Sequence, residues 1–172
     1  METTEKVVEA YVRYVKGWAT IPNIKCPGQY EIDILAIDPK SCGKYHIECG
    51  ISLPGPFAKL TAKPYDKELI KVKRYQAAQR RTLGYFAQRK FNSPGVVETL
   101  AGYGFEPGEY QKIIVSWGWA SVVEDEATAE GIELWHFADI LMEIAETLKK
   151  TKVYFTDDTL RTLQLFSIAK NG

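Results

Sequence analysis

The chain has 172 residues, 45% of them hydrophobic, which is enough apolar material for one core and argues against a disordered protein. No apolar run approaches the roughly 18 residues of a membrane-spanning helix, and the charged start METTEKVVEA lacks the apolar centre of a secretory signal. The net charge of zero excludes a chain that is basic throughout, so any contact with nucleic acid has to come from a local cluster of charge.

The first half of the chain predicts a helix followed by a hairpin. Residues 3–18 carry apolar side chains at helical spacing and predict an amphipathic helix. A short connection rich in proline and glycine follows, up to residue 28. Residues 29–38 and 44–52 then read as two strands, separated by a cluster of turn-forming residues, and together they predict a β-hairpin.

A long basic helix is predicted next, from an N-cap at Asp66 to about Lys90. Between residues 59 and 90, ten Lys and Arg stand against two acidic residues, whereas residues 98–146 hold eleven acidic residues and one lysine. A basic helix can bind a phosphate backbone, but a basic helix packed beside an acidic one has the same pattern, and both interpretations stay open. For the first interpretation, the candidate nucleic-acid contacts are Lys67, Lys71, Lys73, Arg74, Arg80 and Arg81.

The second half predicts strands and helices in alternation, after a loop over residues 93–108. The predicted elements are a strand at 111–117, a helix at 122–130, a strand at 132–137 and a helix at 138–150. A short extended piece from residue 153 and a helix capped near Asp157 or Asp158 follow. Such alternation puts helices on both faces of a sheet, so we predict one α/β domain over residues 1–172, with three layers (α/β/α) and a central mixed sheet.

Two acidic residues stand within the otherwise apolar strands of the hairpin. Asp33 lies in YEIDILA and Glu48 in HIECGIS, where burial without a partner costs several kcal/mol. Carboxylates in such a place require a cation, and Mg²⁺ or Mn²⁺ would supply both charge neutralisation and an activated water for phosphodiester hydrolysis. In the first helix, Glu5 and Glu9 lie one turn apart, and either could add a third carboxylate.

This order of a helical glutamate, a strand aspartate and a strand glutamate resembles the PD-(D/E)XK superfamily of restriction-endonuclease-like nucleases. Residues 113–148 look like the second half of its modified-DNA restriction and Holliday-junction-resolvase branches. The resemblance implies a Mg²⁺- or Mn²⁺-dependent endodeoxyribonuclease that acts on DNA, and by the same analogy we expect a homodimer. It assigns Asp33 and Glu48 to the metal, and Asp33, Glu48 and Glu5, or less favourably Glu9, to catalysis.

The chain departs from the family motif at Gly50, which stands where the motif has a lysine. We expect another element to supply the ammonium, and the candidates are Lys59, Lys67, Lys71 and Lys73. Lys44 shares the strand with Glu48, but four residues at about 3.3 Å each put it too far away. The alternative is a nuclease fold without catalysis, which binds nucleic acid or a protein partner.

The three cysteines and one histidine of the hairpin region allow a competing hypothesis. Cys26, Cys42, His46 and Cys49 are zinc-ligand types, but their spacing lacks the close pairs of structural zinc sites, and strand alternation sends His46 and Cys49 to opposite faces. Three cysteines cannot all pair within one chain, so we expect a reducing, cytoplasmic location. His46 either flanks the carboxylates or satisfies another neighbour.

Overall fold

The computed structural model describes residues 2–52, 59–151 and 155–169. Within them, five strands form one sheet in the spatial order β1-β2-β3-β4-β5. Strand β2 pairs antiparallel with both β1 and β3, whereas β3, β4 and β5 run parallel, so the sheet is mixed. The strands are β1 (Ala19–Cys26), β2 (Tyr30–Ile37), β3 (Lys44–Cys49), β4 (Tyr110–Ser116) and β5 (Ile132–His136).

Helices flank this sheet, which confirms the predicted α/β class. They are α1 (Thr3–Tyr14), α2 (Lys73–Gln79), α3 (Leu83–Tyr85), a π-helix (Phe86–Phe91), α4 (Pro94–Gly102), α5 (Ser121–Ala129), α6 (Phe137–Lys150) and α7 (Asp158–Ala169). Of the described helices, each is too short or too polar to cross a lipid bilayer.

Strand alternation decides which side of the sheet each site residue faces. Ile34 of β2 pairs with Ile47 of β3, and both pack in a core built with α1, α6 and α7. Asp33 directly precedes Ile34 and Glu48 directly follows Ile47, so both carboxylates face the opposite side of the sheet. That side is covered by α5 and by residues 83–91. The period of the strands thus places the carboxylates on the side of the sheet that the π-helix covers.

The prediction of one long helix from Asp66 to Lys90 is wrong. Residues 61 and 81–83 form a bridge in which the Leu83 amide donates to the Thr61 carbonyl at 2.9 Å and the Thr61 amide donates to the Arg81 carbonyl at 2.8 Å. These bonds take backbone groups that a continuous helix would use internally. The segment is divided into a 3₁₀ turn (Leu69–Lys71), α2, α3 and the π-helix.

Two elements were missed, and one was predicted too long. Strand β1 lies where a connection was expected, because it occupies the edge of the sheet, where Pro22 is tolerated. Helix α4 lies within the predicted loop, with Pro94 at its first position, where the missing N–H costs nothing. Helix α1 ends at Tyr14 instead of residue 18. The extended piece expected from residue 153 falls mostly outside the described residues.

Candidate functional site

The hairpin brings the Asp33 and Glu48 side chains together. The two residues are neighbours across β2 and β3, since Ile34 pairs with Ile47 in an antiparallel register. Asp33 is 5% exposed and Glu48 is fully buried. The Cys49 amide donates to Asp33 Oδ2 at 2.7 Å, and the Asp33 amide lies 3.4 Å from Glu48 Oε1. The predicted convergence of the two carboxylates on one side of the sheet is therefore present.

Lys90 of the π-helix supplies the cation for this pair. Its Nζ lies 3.0 Å from Asp33 Oδ1 and 2.5 Å from Glu48 Oε2. It also donates to the Glu31 carbonyl at 3.1 Å, so three acceptors surround one ammonium. The Lys90 side chain is only 18% exposed, which makes these charge-assisted contacts stronger than surface ion pairs. We call Asp33, Glu48 and Lys90 the carboxylate–lysine cluster.

Burial sets the proton affinities of the cluster. Burial, and secondly the charge of Glu48, raises the pKa of Asp33 to about 7, although Lys90 opposes the shift. Burial also raises the pKa of Glu48, again against Lys90. Burial alone would lower the pKa of Lys90, but the two carboxylates outweigh it and the pKa is raised. The cluster therefore holds a permanent ammonium beside an aspartate that titrates near neutral pH.

His46 holds Oε1 of Glu48, while Lys90 contacts Oε2. Its Nε2 lies 2.7 Å from Glu48 Oε1, and the ring is fully buried against Phe91. Burial, and then the charge of Lys90, lowers the pKa of His46 to about 3, so the ring is neutral at ordinary pH. A neutral ring facing a carboxylate donates from Nε2, which assigns the proton to that nitrogen. His46 therefore lies beside the carboxylates and satisfies Glu48, its neighbour on the strand, which agrees with both predicted roles.

The glycine at the motif lysine position has a steric cause. A Cβ built on Gly50 would lie 2.7 Å from Cζ of Phe86, which is closer than real side-chain contacts allow. Phe86 is 2% exposed and packed in the core, so its ring has little freedom to move. A lysine at position 50 is therefore incompatible with Phe86 in its present place, and Lys90 reaches the carboxylates from the same π-helix.

Lys90 is the functional residue that the sequence prediction missed. The predicted substitutes lie elsewhere: Lys59, Lys67, Lys71 and Lys73 are all exposed, and Lys71 pairs with Glu68 at 2.7 Å. A usable signal was present in FAQRKF, where Lys90 follows Phe86 by four residues and directly precedes Phe91. A lysine among buried aromatics is unusual on a solvated helix face. π-Helical turns also occur frequently at functional sites.

A cleft of about 410 Å³ lies over the cluster, and Asp33, Gly50 and Lys90 form part of its lining. Glu5 of α1 also lines it, and burial together with the charge of Asp33 raises the pKa of Glu5. The Glu5 carboxylate accepts a bond from the Glu2 amide at 2.8 Å. Glu9, the less favoured choice, instead accepts from Thr20 Oγ1 at 2.9 Å, away from the cleft. The structure thus places Glu5, and not Glu9, beside the predicted site.

The candidate nucleic-acid contacts divide into two groups. Arg80 and Arg81 line the cleft. Lys67, Lys71, Lys73 and Arg74 are exposed on the segment before it, and the Arg74 guanidinium lies 4.6 Å from the centre of the Tyr75 ring. The acidic residues of the stretch 98–146 could have neutralised these charges, but among the described residues none of them forms an ion pair with this segment. The ion pair found there joins Lys71 and Glu68, both within the segment.

The described residues offer few side chains that could ligate a metal. No group of three or more His, Cys, Asp and Glu side chains able to hold a metal occurs in the described part of the chain. Of the cysteines considered as zinc ligands, Cys42 is exposed and Cys26 is buried on the edge strand β1. Two carboxylates are nevertheless the usual protein share of a Mg²⁺ site, where water and substrate oxygens complete the shell.

The described residues define an α/β protein with a buried carboxylate–lysine cluster under an open cleft. Comparisons with protein-family models, with curated proteins and with solved structures found no match. The function has to be inferred from the chemistry of the cluster itself.

Proposed function

We propose that the chain is a restriction-endonuclease-like nuclease that hydrolyses phosphodiester bonds of DNA with a divalent cation, Mg²⁺ or Mn²⁺. The observation that carries the proposal is the position of Lys90 Nζ, 3.0 Å from Asp33 Oδ1 and 2.5 Å from Glu48 Oε2. The sequence resemblance required two carboxylates and an ammonium at one point, and the residue at Gly50 could not provide the ammonium. Lys90 completes the set from a neighbouring helix.

Asp33 and Glu48 are the residues that would hold the metal. Their side chains are buried and their pKa values are raised by burial, so the charged forms gain from a nearby cation. A bound divalent ion supplies charge neutralisation for the phosphorane and lowers the pKa of a water molecule. Glu5, on the cleft wall near Asp33, is placed to accept a hydrogen bond from water in the cleft.

Lys90 acts as a donor and not as a general base. Its pKa is raised by Glu48 and Asp33, so the ammonium keeps its proton at neutral pH. When a bound cation takes its place between Asp33 and Glu48, the freed N–H groups of Lys90 would orient the attacking water and stabilise negative charge that develops on the phosphate. His46 keeps Glu48 in one orientation through Nε2, so that Oε2 stays directed toward Lys90.

A plasmid-nicking assay tests the proposal. The wild-type chain should convert supercoiled DNA to the nicked form only when Mg²⁺ or Mn²⁺ is present. Glu48→Gln and Lys90→Met should each reduce the rate by about a hundredfold or more, as loss of a charge-stabilising group does. Lys112→Met is the matched control, because Lys112 bonds to Asn92 and contacts neither carboxylate. Nicking that survives in Glu48→Gln and Lys90→Met would assign the activity to another site or protein.

The exposed basic segment before the cleft extends the proposal to DNA binding. Lys71 and Arg74 lie outside the cluster, so their charges serve binding and not chemistry. Reversing both to Glu should weaken DNA binding and flatten its dependence on salt, since fewer counterions are released. Fluorescence anisotropy at several salt concentrations measures both quantities. An unchanged affinity and slope would remove this segment from the DNA interface.

One observation favours the second candidate, a nuclease fold that binds nucleic acid or a protein without cleaving. Lys90 already has three acceptors, namely Asp33 Oδ1, Glu48 Oε2 and the Glu31 carbonyl. Such a network neutralises much of the buried charge without any metal. This candidate would be supported if millimolar Mn²⁺ leaves the melting temperature of the wild-type chain unchanged and if that chain does not nick DNA.

A further inference from the structure

The cleft over the cluster holds four cationic side chains, and they differ in whether they have partners. Lys90 is held by two carboxylates. Arg89 donates to the Tyr30 hydroxyl at 2.9 Å and lies over the Tyr30 ring. Arg80 is exposed, so water can solvate it. Arg81 is the fourth and differs from these three.

The Arg81 guanidinium is half-buried and has no partner within the described residues. No carboxylate there lies within 4.0 Å of it, and none of its side-chain nitrogens makes a hydrogen bond. Burial accordingly lowers the pKa of Arg81, while Glu2 acts on it only through its charge at longer range. No Arg81 nitrogen is fully buried, so its donor groups are open to the cleft and available to a ligand.

Arg81 and the cluster meet at Gly50. The position of a Cβ on Gly50 lies 3.5 Å from Nη1 of Arg81, and Gly50 directly follows β3, two residues after Glu48. A Cβ at this distance would be in ordinary van der Waals contact with Arg81, so position 50 borders the space in front of the guanidinium.

We propose that Arg81 binds a phosphate group of the DNA backbone in the cleft. A guanidinium is suited to the task because its planar fork donates two parallel hydrogen bonds to two phosphate oxygens. The substrate in this inference rests on the proposed function. The contact itself needs no metal, so binding measured in EDTA separates it from cleavage.

The test is fluorescence anisotropy of a labelled DNA duplex in EDTA, across a series of salt concentrations. Arg81→Gln should weaken binding by about tenfold or more and make the slope of log K against log salt shallower by about 0.9, the value for one phosphate contact. Arg81→Lys keeps the charge but loses the fork, and should fall between wild type and Arg81→Gln. Arg13→Gln is the control, because Arg13 lies near Glu9 and outside the cleft.

Each outcome decides one proposal. Equal affinity and slope for Arg81→Gln and Arg13→Gln would overturn the inference, even if the wild-type chain nicks DNA. Failure of the wild-type chain to bind DNA at all would also overturn it. Binding that depends on Arg81, in a chain that never nicks DNA with Mg²⁺ or Mn²⁺, would leave the inference intact and remove the nuclease proposal. Circular dichroism confirms that each variant is folded.

Discussion

Replacing Lys90 by Met removes the cation of the cluster and keeps a side chain of similar length. Lys90 faces two carboxylates at 3.0 Å and 2.5 Å, and its own side chain is 18% exposed. Removing one partner of a buried ion pair costs about 3–5 kcal/mol. The pKa of Asp33 is already about 7, so Asp33 can take a proton and relieve the repulsion. We therefore expect about 3 kcal/mol of destabilisation, or a melting temperature lower by roughly 10 °C.

The same variant should respond more strongly to a divalent cation. In the wild-type chain the ammonium lies between Asp33 and Glu48, where a metal has to compete with it. Without the ammonium, the two carboxylates keep their charge only by finding another cation. A metal at one hundred times its dissociation constant stabilises the folded state by about 2.7 kcal/mol, which would recover most of the loss.

Thermal melts followed by circular dichroism, with MnCl₂ titrated into the millimolar range, measure both effects. Lys112→Met serves as control and should match the wild-type chain in stability and in metal response. Adding Glu48→Gln to Lys90→Met should abolish the extra response. The reasoning is refuted if Lys90→Met melts at the wild-type temperature, or if Mn²⁺ raises its melting temperature no more than that of the wild type.

Two further variants test the burial of the cluster and the role of glycine. The pKa of Asp33 is about 7 against an ordinary 3.8, so the folded state keeps a proton that the unfolded state has lost, and Asp33 should lower the stability by about 2–3 kcal/mol between about pH 5 and about pH 7. The pKa of His46, which burial lowers to about 3, acts in the opposite direction over this range, so the Asp33 contribution is measured as the difference between the wild type and Asp33→Asn. Asp33→Asn should lack the Asp33 contribution. Urea denaturation of both chains at about pH 5 and about pH 7 measures the difference, and parallel stability profiles for the two chains would contradict the prediction. Gly50→Ala forces a contact of 2.7 Å on Phe86 and should cost about 1–3 kcal/mol, whereas Gly102→Ala, with open space around its Cβ, should not. Equal melting temperatures for these two alanine variants would mean that Phe86 moves freely.

The sequence was informative where strand periodicity decides the geometry. A period of two residues fixes which strand residues share a side, so the hairpin pattern sufficed to place Asp33 and Glu48 together. The same alternation correctly put His46 on the side of Glu48. Both results follow from local spacing and from a short turn, which link residues close in the chain.

The sequence was misleading where distant contacts interrupt a local pattern. The basic stretch has helical spacing throughout, but the bridge between Thr61 and residues 81–83 divides it. Nothing in the local pattern encodes that bridge. One solvated helix was predicted for the segment, with Lys90 at its end. The π-helical turn that brings the Lys90 side chain to Asp33 and Glu48 was therefore missed.

Helix α4 was missed for a different reason. Its sequence, PGVVETLAG, has glycine at both ends of a short apolar run, which favours a loop by composition. The structure packs Val96 and Leu100 into a buried cluster with Phe105 of the following loop. Tertiary packing overrides propensity here, as it often does for helices of this length.

The most direct test of the account is a crystal of the wild-type chain soaked in MnCl₂, measured for anomalous scattering. The account predicts a peak bonded to the carboxylates of Asp33 and Glu48, with Lys90 Nζ displaced from between them. A map without a peak, in which Lys90 still contacts both carboxylates, would contradict the metal-dependent nuclease and leave the binding module.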